Sequence, residues 1–284
     1  MFETFFGRIS PIFMLDCPSY QGILLFLRVM SLSKSKIKYI RSLNEKKFRN
    51  EHNTFVAEGT KLVFDLLTTC RCQLIAALPS ILSSHPELKA EEVVTADENE
   101  LKKATFLKTA PPIMAVFYRP SRQIEKTDFD NRLSLVLDGI QDPGNMGAIV
   151  RIADWFGIEH IISSYDTVDI FNPKTVQATM GAIARVNVFH TDLVEFLRQQ
   201  SHLPIYGTFL EGDDIYSTAL SDNGFIVMGS EGRGIGSETK KLINKKLFIP
   251  NFPEARATSE SLNVAAATAI TCAEFRRRAR YNLL

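Results

Sequence analysis

From Leu133 onward the chain alternates short apolar runs with stretches of helical period. This alternation restricts the fold more than any other feature. The runs 133–137, 160–163, 186–189, 204–207, 225–229 and 247–249 read as strands. Between them 147–156, 173–180, 193–199 and 238–244 read as helices, and 211–221 as a loop. Strands separated by helices pair in parallel and are covered on both faces, so the expected class is α/β with a mostly parallel sheet. Such sheets take ligands at the carboxyl ends of their strands. The informative segments are then 138–147, 229–237 and 250–261.

The preceding half has a different pattern. Residues 54–118 read as a compact α/β unit, with strands near 55–57, 74–78, 93–94 and 114–118 and helices at 61–67 and 98–104. The polar stretch 119–132, which holds Pro120, reads as a linker. In 33–50, seven residues are Lys or Arg and one is acidic. Ile37, Ile40 and Leu43 share a face there, which predicts a short basic amphipathic helix. A solvated face and a phosphate-binding face fit it equally. Residues 1–29 are aromatic-rich, hold two prolines and lack a helical period. Glu3 and Asp16 spoil the pattern of a secretory signal, so 1–29 is expected to be a leader or disordered extension, with Met30 the working start.

Composition narrows the class further. A length of 284 residues suits two domains. With 45% hydrophobic and 23% charged residues, chain-wide disorder is excluded. No run approaches the ~20 apolar residues of a membrane span, so no membrane association is expected. The charges nearly balance, 33 basic against 32 acidic, so any nucleic-acid footprint has to be local. Cys17, Cys70, Cys72 and Cys272 are too scattered for a zinc site or a disulfide framework. No metal is expected, and a reducing, cytoplasmic setting fits. Trp155 and the phenylalanines are expected in the core.

Each of the three segments is unusual. The first runs from Asp138 through Asp142-Pro143-Gly144 into a helix. In that helix Arg151 lies ~200° around the axis from Ile149 and points away from the core. The second, GSEGRGIG at 229–236, follows a buried strand and holds four glycines, which let backbone approach a ligand closely. It is not a G-x-G-x-x-G fingerprint, and that counts against a nucleotide-dependent Rossmann enzyme. The third follows Ile249-Pro250 and ends at Ser261-Leu262-Asn263, where Ser261 is expected to cap a helix rich in small residues. That helix closes with Arg276, Arg277, Arg278 and Arg280, expected to form a positive patch.

These residues carry a resemblance. NMGAIVRIADWFG (145–157), GSEGRGIG (229–236) and the I-P…S-L-N-V-A-A-A pattern (249–267) resemble the three motifs of the SpoU/TrmH family, RNA ribose 2′-O-methyltransferases of the SPOUT class. NPKTVQATMGA (172–182) also resembles the family, and the likeness covers roughly 133–280. Residues 34–118 resemble the RNA substrate-binding domain that often precedes it. The resemblance implies a domain order of 30–120 (RNA-binding), 121–132 (linker) and 133–284 (methyltransferase). The fold would be a mostly parallel α/β sheet with a C-terminal trefoil knot, preceded by a small α/β RNA-binding domain.

The resemblance further implies S-adenosylmethionine as cofactor, bound at Gly229, Ile249 and Leu262. The substrate would be a ribose 2′-hydroxyl in rRNA or tRNA, and the active unit a homodimer. Asn145 and Arg151 match the first motif's polar pair, Glu231 the second motif's acid, and Ser261 and Asn263 the third motif. Glu231 would hold Arg151 or Asn145 in place. Arg151 would bind a developing alkoxide or a neighbouring phosphate, because a guanidinium does not normally give up its proton. The stretch 249–262 is about four residues longer than the family's usual spacing, with 251–260 as the extra loop. The alternative is an RNA-binding protein whose methyltransferase-like domain is inactive.

Overall fold

The structure is a computed structural model and describes residues 30–121, 123–253 and 259–281. The leader reading for 1–29 and the centre of the extra loop, 254–258, lie outside the described residues.

The first unit holds five strands: β1 (Met30–Ser31), β2 (Thr54–Glu58), β3 (Cys72–Ala77), β4 (Glu92–Thr95) and β5 (Ile113–Tyr118). Their order is β1-β4-β3-β5-β2, with β5 antiparallel to both neighbours. Helices α1 (Lys34–Ser42), α2 (Lys46–His52), α3 (Thr60–Leu67), α4 (Pro79–Ser84) and α5 (Glu98–Ala104) cover it. On one face Val56, Leu74, Val94 and Val116 pack with Ile40, Leu43 and Leu101. On the other, Phe55, Ile75 and Phe117 pack with Leu62, Val63 and Leu66. Alternate residues of one strand thus feed two cores.

The second unit is a seven-stranded, wholly parallel sheet among the described residues. Its strands are β6 (Leu133–Asp138), β7 (His160–Ser163), β8 (Asn187–His190), β9 (Ile205–Phe209), β10 (Asp213–Asp214), β11 (Gly224–Gly229) and β12 (Lys245–Phe248). The order is β10-β12-β9-β11-β6-β7-β8. Helices α6 (Pro143–Trp155), α7 (Pro173–Ala178), α8 (Leu193–Gln199), α9 (Ser237–Lys240) and α10 (Val264–Tyr281) accompany it. Every residue of β6 is buried, as a central parallel strand requires.

Local departures from the expected elements have physical causes. The basic helix expected over 33–50 is two helices, α1 and α2. The Leu43 and Asn44 carbonyls turn to the buried Arg49 guanidinium, at 2.8 and 2.7 Å, instead of continuing the ladder. The 211–221 loop contains β10, which exists only because β12 lies beside it. Trp155 is 84% exposed rather than in the core. Ile149, Val150 and Ala153 face the sheet, which leaves Trp155, four residues after Arg151, on the outward side of α6. The arginines ending α10 are not a free patch. Arg276 donates to the Phe156 and Gly157 carbonyls at the end of α6, and Arg278 is buried against Glu274 and the carbonyls of Ile215 and Tyr216.

Apolar and charged contacts join the two units. The 119–132 connection holds a 3₁₀ turn at Ile124–Lys126 and buries Phe129 among His160, Phe196 and Phe225. Phe55 of β2 stacks against Phe171 at 4.9 Å, and apolar residues of both units form one cluster. Arg49, 2% exposed, donates through Nε and Nη2 to Asp169 at 3.0 and 2.8 Å, with Arg119 Nη2 3.6 Å from the same carboxylate.

Burial would raise the Asp169 carboxyl, but the Phe171 N–H and the two arginines outweigh it and hold the group below the usual carboxylate range. Removing one partner of a buried pair strands the other charge, so Arg49→Ala should cost about 3–5 kcal/mol in urea denaturation. Because the folded pKa is depressed, the Asp169 contribution is complete above the unfolded value of about 4 and is lost as pH falls through the folded value. The stability gap between the native chain and Asp169→Asn should therefore stay constant down to about pH 5 and narrow as the pH falls below about 4.

Candidate active site

Strands β6 and β11 are neighbours in parallel register, with Asp138 opposite Gly229. The first and second segments therefore leave the sheet side by side at the same level. Asp142 caps α6 by accepting the Asn145 N–H at 2.8 Å, and Pro143 occupies the first turn, where no donor is needed. This places the Asn145 side chain at the mouth of the sheet. The second segment folds back on itself through paired Ser230 and Gly234 backbone bonds. A Cβ on Gly229 would stand 2.3 Å from the Gly234 carbonyl carbon and the Ile235 nitrogen, so only glycine admits this turn.

The third segment returns from β12 to α10. Asn263, not Ser261, caps this helix: its Oδ1 accepts the Ala265 and Ala266 N–H groups at 3.0 and 3.3 Å. The helix starts at Val264, so Ser261 lies too far upstream for its hydroxyl to reach the first free amides. With its oxygen used as a cap, the Asn263 amide nitrogen is left to donate, and it reaches Asn145 Oδ1 at 2.9 Å. The Asn145 nitrogen in turn donates to the Glu231 carboxylate. An ionised carboxylate only accepts, so this order of donors is the one the chemistry allows. Three side chains, each from a different segment, thus form one hydrogen-bonded chain.

The other expected residues take distinct places. Gly229 ends β11, and Ile249, just past β12, packs on the main core. Leu262 is 48% exposed beside Asn263. Arg151 is exposed and has no bond to Glu231 or Asn145. It lies six residues after Asn145, about 9 Å along the helix axis, on the outward face. Glu231 therefore holds Asn145 and leaves Arg151 alone.

Two charged residues escaped the sequence reading. Asp138, 5% exposed, accepts the Gly236 N–H at 2.9 Å and lies 3.3 Å from Arg233. A carboxylate ending a fully buried apolar strand was the available signal.

The chain matches the SpoU rRNA Methylase family over residues 132–273 and the MRM3-like substrate binding domain over 34–115. The chain belongs to the SpoU rRNA methylase family, whose α/β fold is that of the SPOUT methyltransferases with their C-terminal trefoil knot. Its activity is methyl transfer from S-adenosylmethionine to an RNA ribose 2′-hydroxyl. It is 27% identical over 248 residues, 86% of this chain and 96% of the relative, to the 23S rRNA (guanosine(2553)-2′-O)-methyltransferase RlmP of Bacillus subtilis. It is 32% identical over 208 residues, 72% of this chain and 74% of the relative, to the 23S rRNA (guanosine-2′-O-)-methyltransferase RlmB of Blochmanniella floridana. Among solved structures, a TrmH-family protein from Porphyromonas gingivalis is 40% identical with a TM-score of 0.79, covering 87% of this chain and 99% of that one. An AdoMet-bound rRNA methyltransferase from Sinorhizobium meliloti is 28% identical with a TM-score of 0.78, covering 88% and 97%.

Asn263→Asp separates the two duties of this residue. The cap survives, but an acceptor now faces the Asn145 oxygen. Methyl transfer should fall roughly 3–10-fold, the worth of one net hydrogen bond, with the melting temperature little changed. Assays alongside thermal denaturation read both.

Proposed function

We propose that the chain methylates a ribose 2′-hydroxyl of ribosomal RNA, working as a homodimer in the cytoplasm. In this reading 30–120 grips the RNA, 121–132 connects, and 133–284 transfers the methyl group. The Asn145–Glu231–Asn263 chain carries the reading, because it draws all three motif segments to one mouth of the sheet.

The residues present suit S-adenosylmethionine. Nothing lies within 4 Å of where a side chain would stand at Gly232 or Gly234, so the backbone of the second segment is open to a ligand. Ile249 and the half-exposed Leu262 offer apolar surface beside it. Gly229, Ile249 and Leu262 would hold the cofactor, which supplies an activated methyl group when bound. Asn145, with Glu231 and Asn263 fixing its amide, would orient the nucleotide, and Ser261 would bond to it at the rim. Holding nucleophile and methyl in line supplies much of the rate in such a displacement. The methylation needs no metal, and among the described residues no cluster of three or more His, Cys, Asp or Glu is placed to hold one.

Arg151 acts from the partner copy in this scheme. It points away from its own crevice, and Trp155, one turn further on, exposes a large apolar ring on the same face. An exposed tryptophan beside a functional arginine fits the centre of an interface. There Arg151 would stabilise the developing alkoxide or the adjacent phosphate. On the first unit Lys36, Arg41 and Arg49 are engaged by Glu92, the Thr105 carbonyl and Asp169. That leaves Lys34, Lys38, Lys46 and Lys47 exposed as the phosphate-contacting set. Burial pushes the Cys72 and Cys272 thiols up to about 12, so neither is a ready nucleophile. Among the described residues no helix is long and apolar enough to cross a membrane.

Arg151→Ala should leave calorimetric cofactor binding unchanged and abolish methyl transfer; undiminished turnover would remove its role. Trp155→Glu should give a monomer in sedimentation and the same loss of turnover. Mapping ribose methylation in total RNA with and without the gene would identify the nucleotide, and an unchanged rRNA pattern would rule out ribosomal RNA.

A further inference from the structure

The segment from Ser230 to Gly236 carries Glu231, yet its own composition works against a single shape. Gly232, Gly234 and Gly236 give it more backbone freedom to lose than any other residue type would. Within the segment only the Ser230–Gly234 bonds, a weak Ser230 side-chain contact to the Arg233 N–H at 3.4 Å, and no apolar anchor before Ile235 oppose that freedom. Its attachment to the sheet comes from elsewhere.

Besides the Glu231–Asn145 bond, that attachment is a ring of charged and polar groups across three strand ends. Arg233 Nη2 lies 2.6 Å from Asp166, in the loop after β7, and 3.3 Å from Asp138, at the end of β6. Asp138 also accepts the Gly236 N–H, so it holds the far end of the segment. Ser164 closes the ring: its hydroxyl donates to Asp166 at 2.5 Å and accepts the Gly139 N–H at 2.9 Å. The Ser164 hydrogen bond foremost, helped by Arg233 and opposed by burial, holds the Asp166 carboxyl below its usual range. The guanidinium lies where a side chain on Gly139 would be, since a Cβ there would stand 2.3 Å from Nη2. Gly139 also has φ +75°, which favours glycine. The first segment is thus shaped to let an arginine of the second lie across it.

We infer that Arg233 is a positioning residue that fastens the cofactor-holding segment to the ends of β6 and β7, with Asp138 and Asp166 as its two anchors. The inference rests on the reading that 229–236 holds S-adenosylmethionine. Arg233 acts by keeping the segment in its binding shape before the cofactor arrives. Loss of such preorganisation lowers the fraction of competent molecules and weakens apparent affinity by the same factor. Once cofactor saturates the site, the shape is recovered and turnover returns. Both contacts run from the one nitrogen Nη2, whose two N–H donors are fixed in the guanidinium plane, whereas a lysine ammonium is a freely turning point charge.

The test measures S-adenosylmethionine binding by calorimetry and steady-state rates on the full-length dimer. In Arg233→Ala the cofactor Kd and KM should rise about 10-fold, while kcat at saturating cofactor and the Kd for RNA stay within about twofold of native. Asp166→Asn, close in shape and half-exposed, should act in the same direction. Combined with Arg233→Ala it should add little, since both break one link. Arg233→Lys should fall between native and alanine. An unchanged cofactor Kd in Arg233→Ala, or fully additive effects in the double variant, would overturn the inference. A role in global stability alone would lower the melting temperature and leave Kd at 25 °C untouched, which also counts against it. If the native chain itself binds no S-adenosylmethionine, the reading of the segment fails instead, so the two failures are distinct.

Discussion

Everything at the mouth of the sheet depends on the parallel pairing of β6 with β11. Six consecutive residue pairs, ending at Asp138 and Gly229, set two segments from distant parts of the chain at the same height. A slip of one residue would turn the side chains of either strand to the opposite face and carry Asp138 away from Gly236. The register is strongly specified because both strands are buried on both faces, with Leu135, Val136, Ile226 and Val227 all inaccessible. Hydrophobic burial therefore fixes the position of the polar Asn145–Glu231–Asn263 chain.

Given that register, a short chain of amides finishes the arrangement. Asn145 and Asn263 each use a whole side-chain amide, one end to a neighbour in the chain of three and the other to a carboxylate or a helix end. Such full engagement lets an exposed polar cluster hold one geometry, because turning either amide would set donor against donor. The helix cap and the inter-segment tie are one residue in Asn263, so formation of α10 and completion of the mouth are coupled.

The first unit is held to the second by a mixed contact. Phe55 and Phe171 supply the apolar area, while Arg49 and Asp169 add a buried pair in which every guanidinium nitrogen donates. A buried ion pair is a weak source of net stability, but it discriminates sharply against misdocked arrangements that would leave either charge unpaired. The exposed lysines of α1 and α2 belong to the unit held by this contact.

The alternation of apolar runs from Leu133 onward was enough to indicate a parallel α/β sheet, because strand and helix periods are local properties of the chain. The three segments were legible for a related reason, since glycines and a proline turn leave short-range marks, whereas Asn145, Glu231 and Asn263 stood out within them through the resemblance to the SpoU/TrmH motifs. Partner choice was not legible. Arg49, Arg276 and Arg278 read as surface charge, and Trp155 as core, since composition records what a side chain is and not what lies across from it. That Asn263 caps the helix in place of Ser261, and that Arg233 spans Asp138 and Asp166, depends on where separate strands end. Sequence by itself determined the class of fold and the polar groups available; only the tertiary structure decided which of them meet, because those contacts join residues up to 120 positions apart and are selected by burial of the sheet between them.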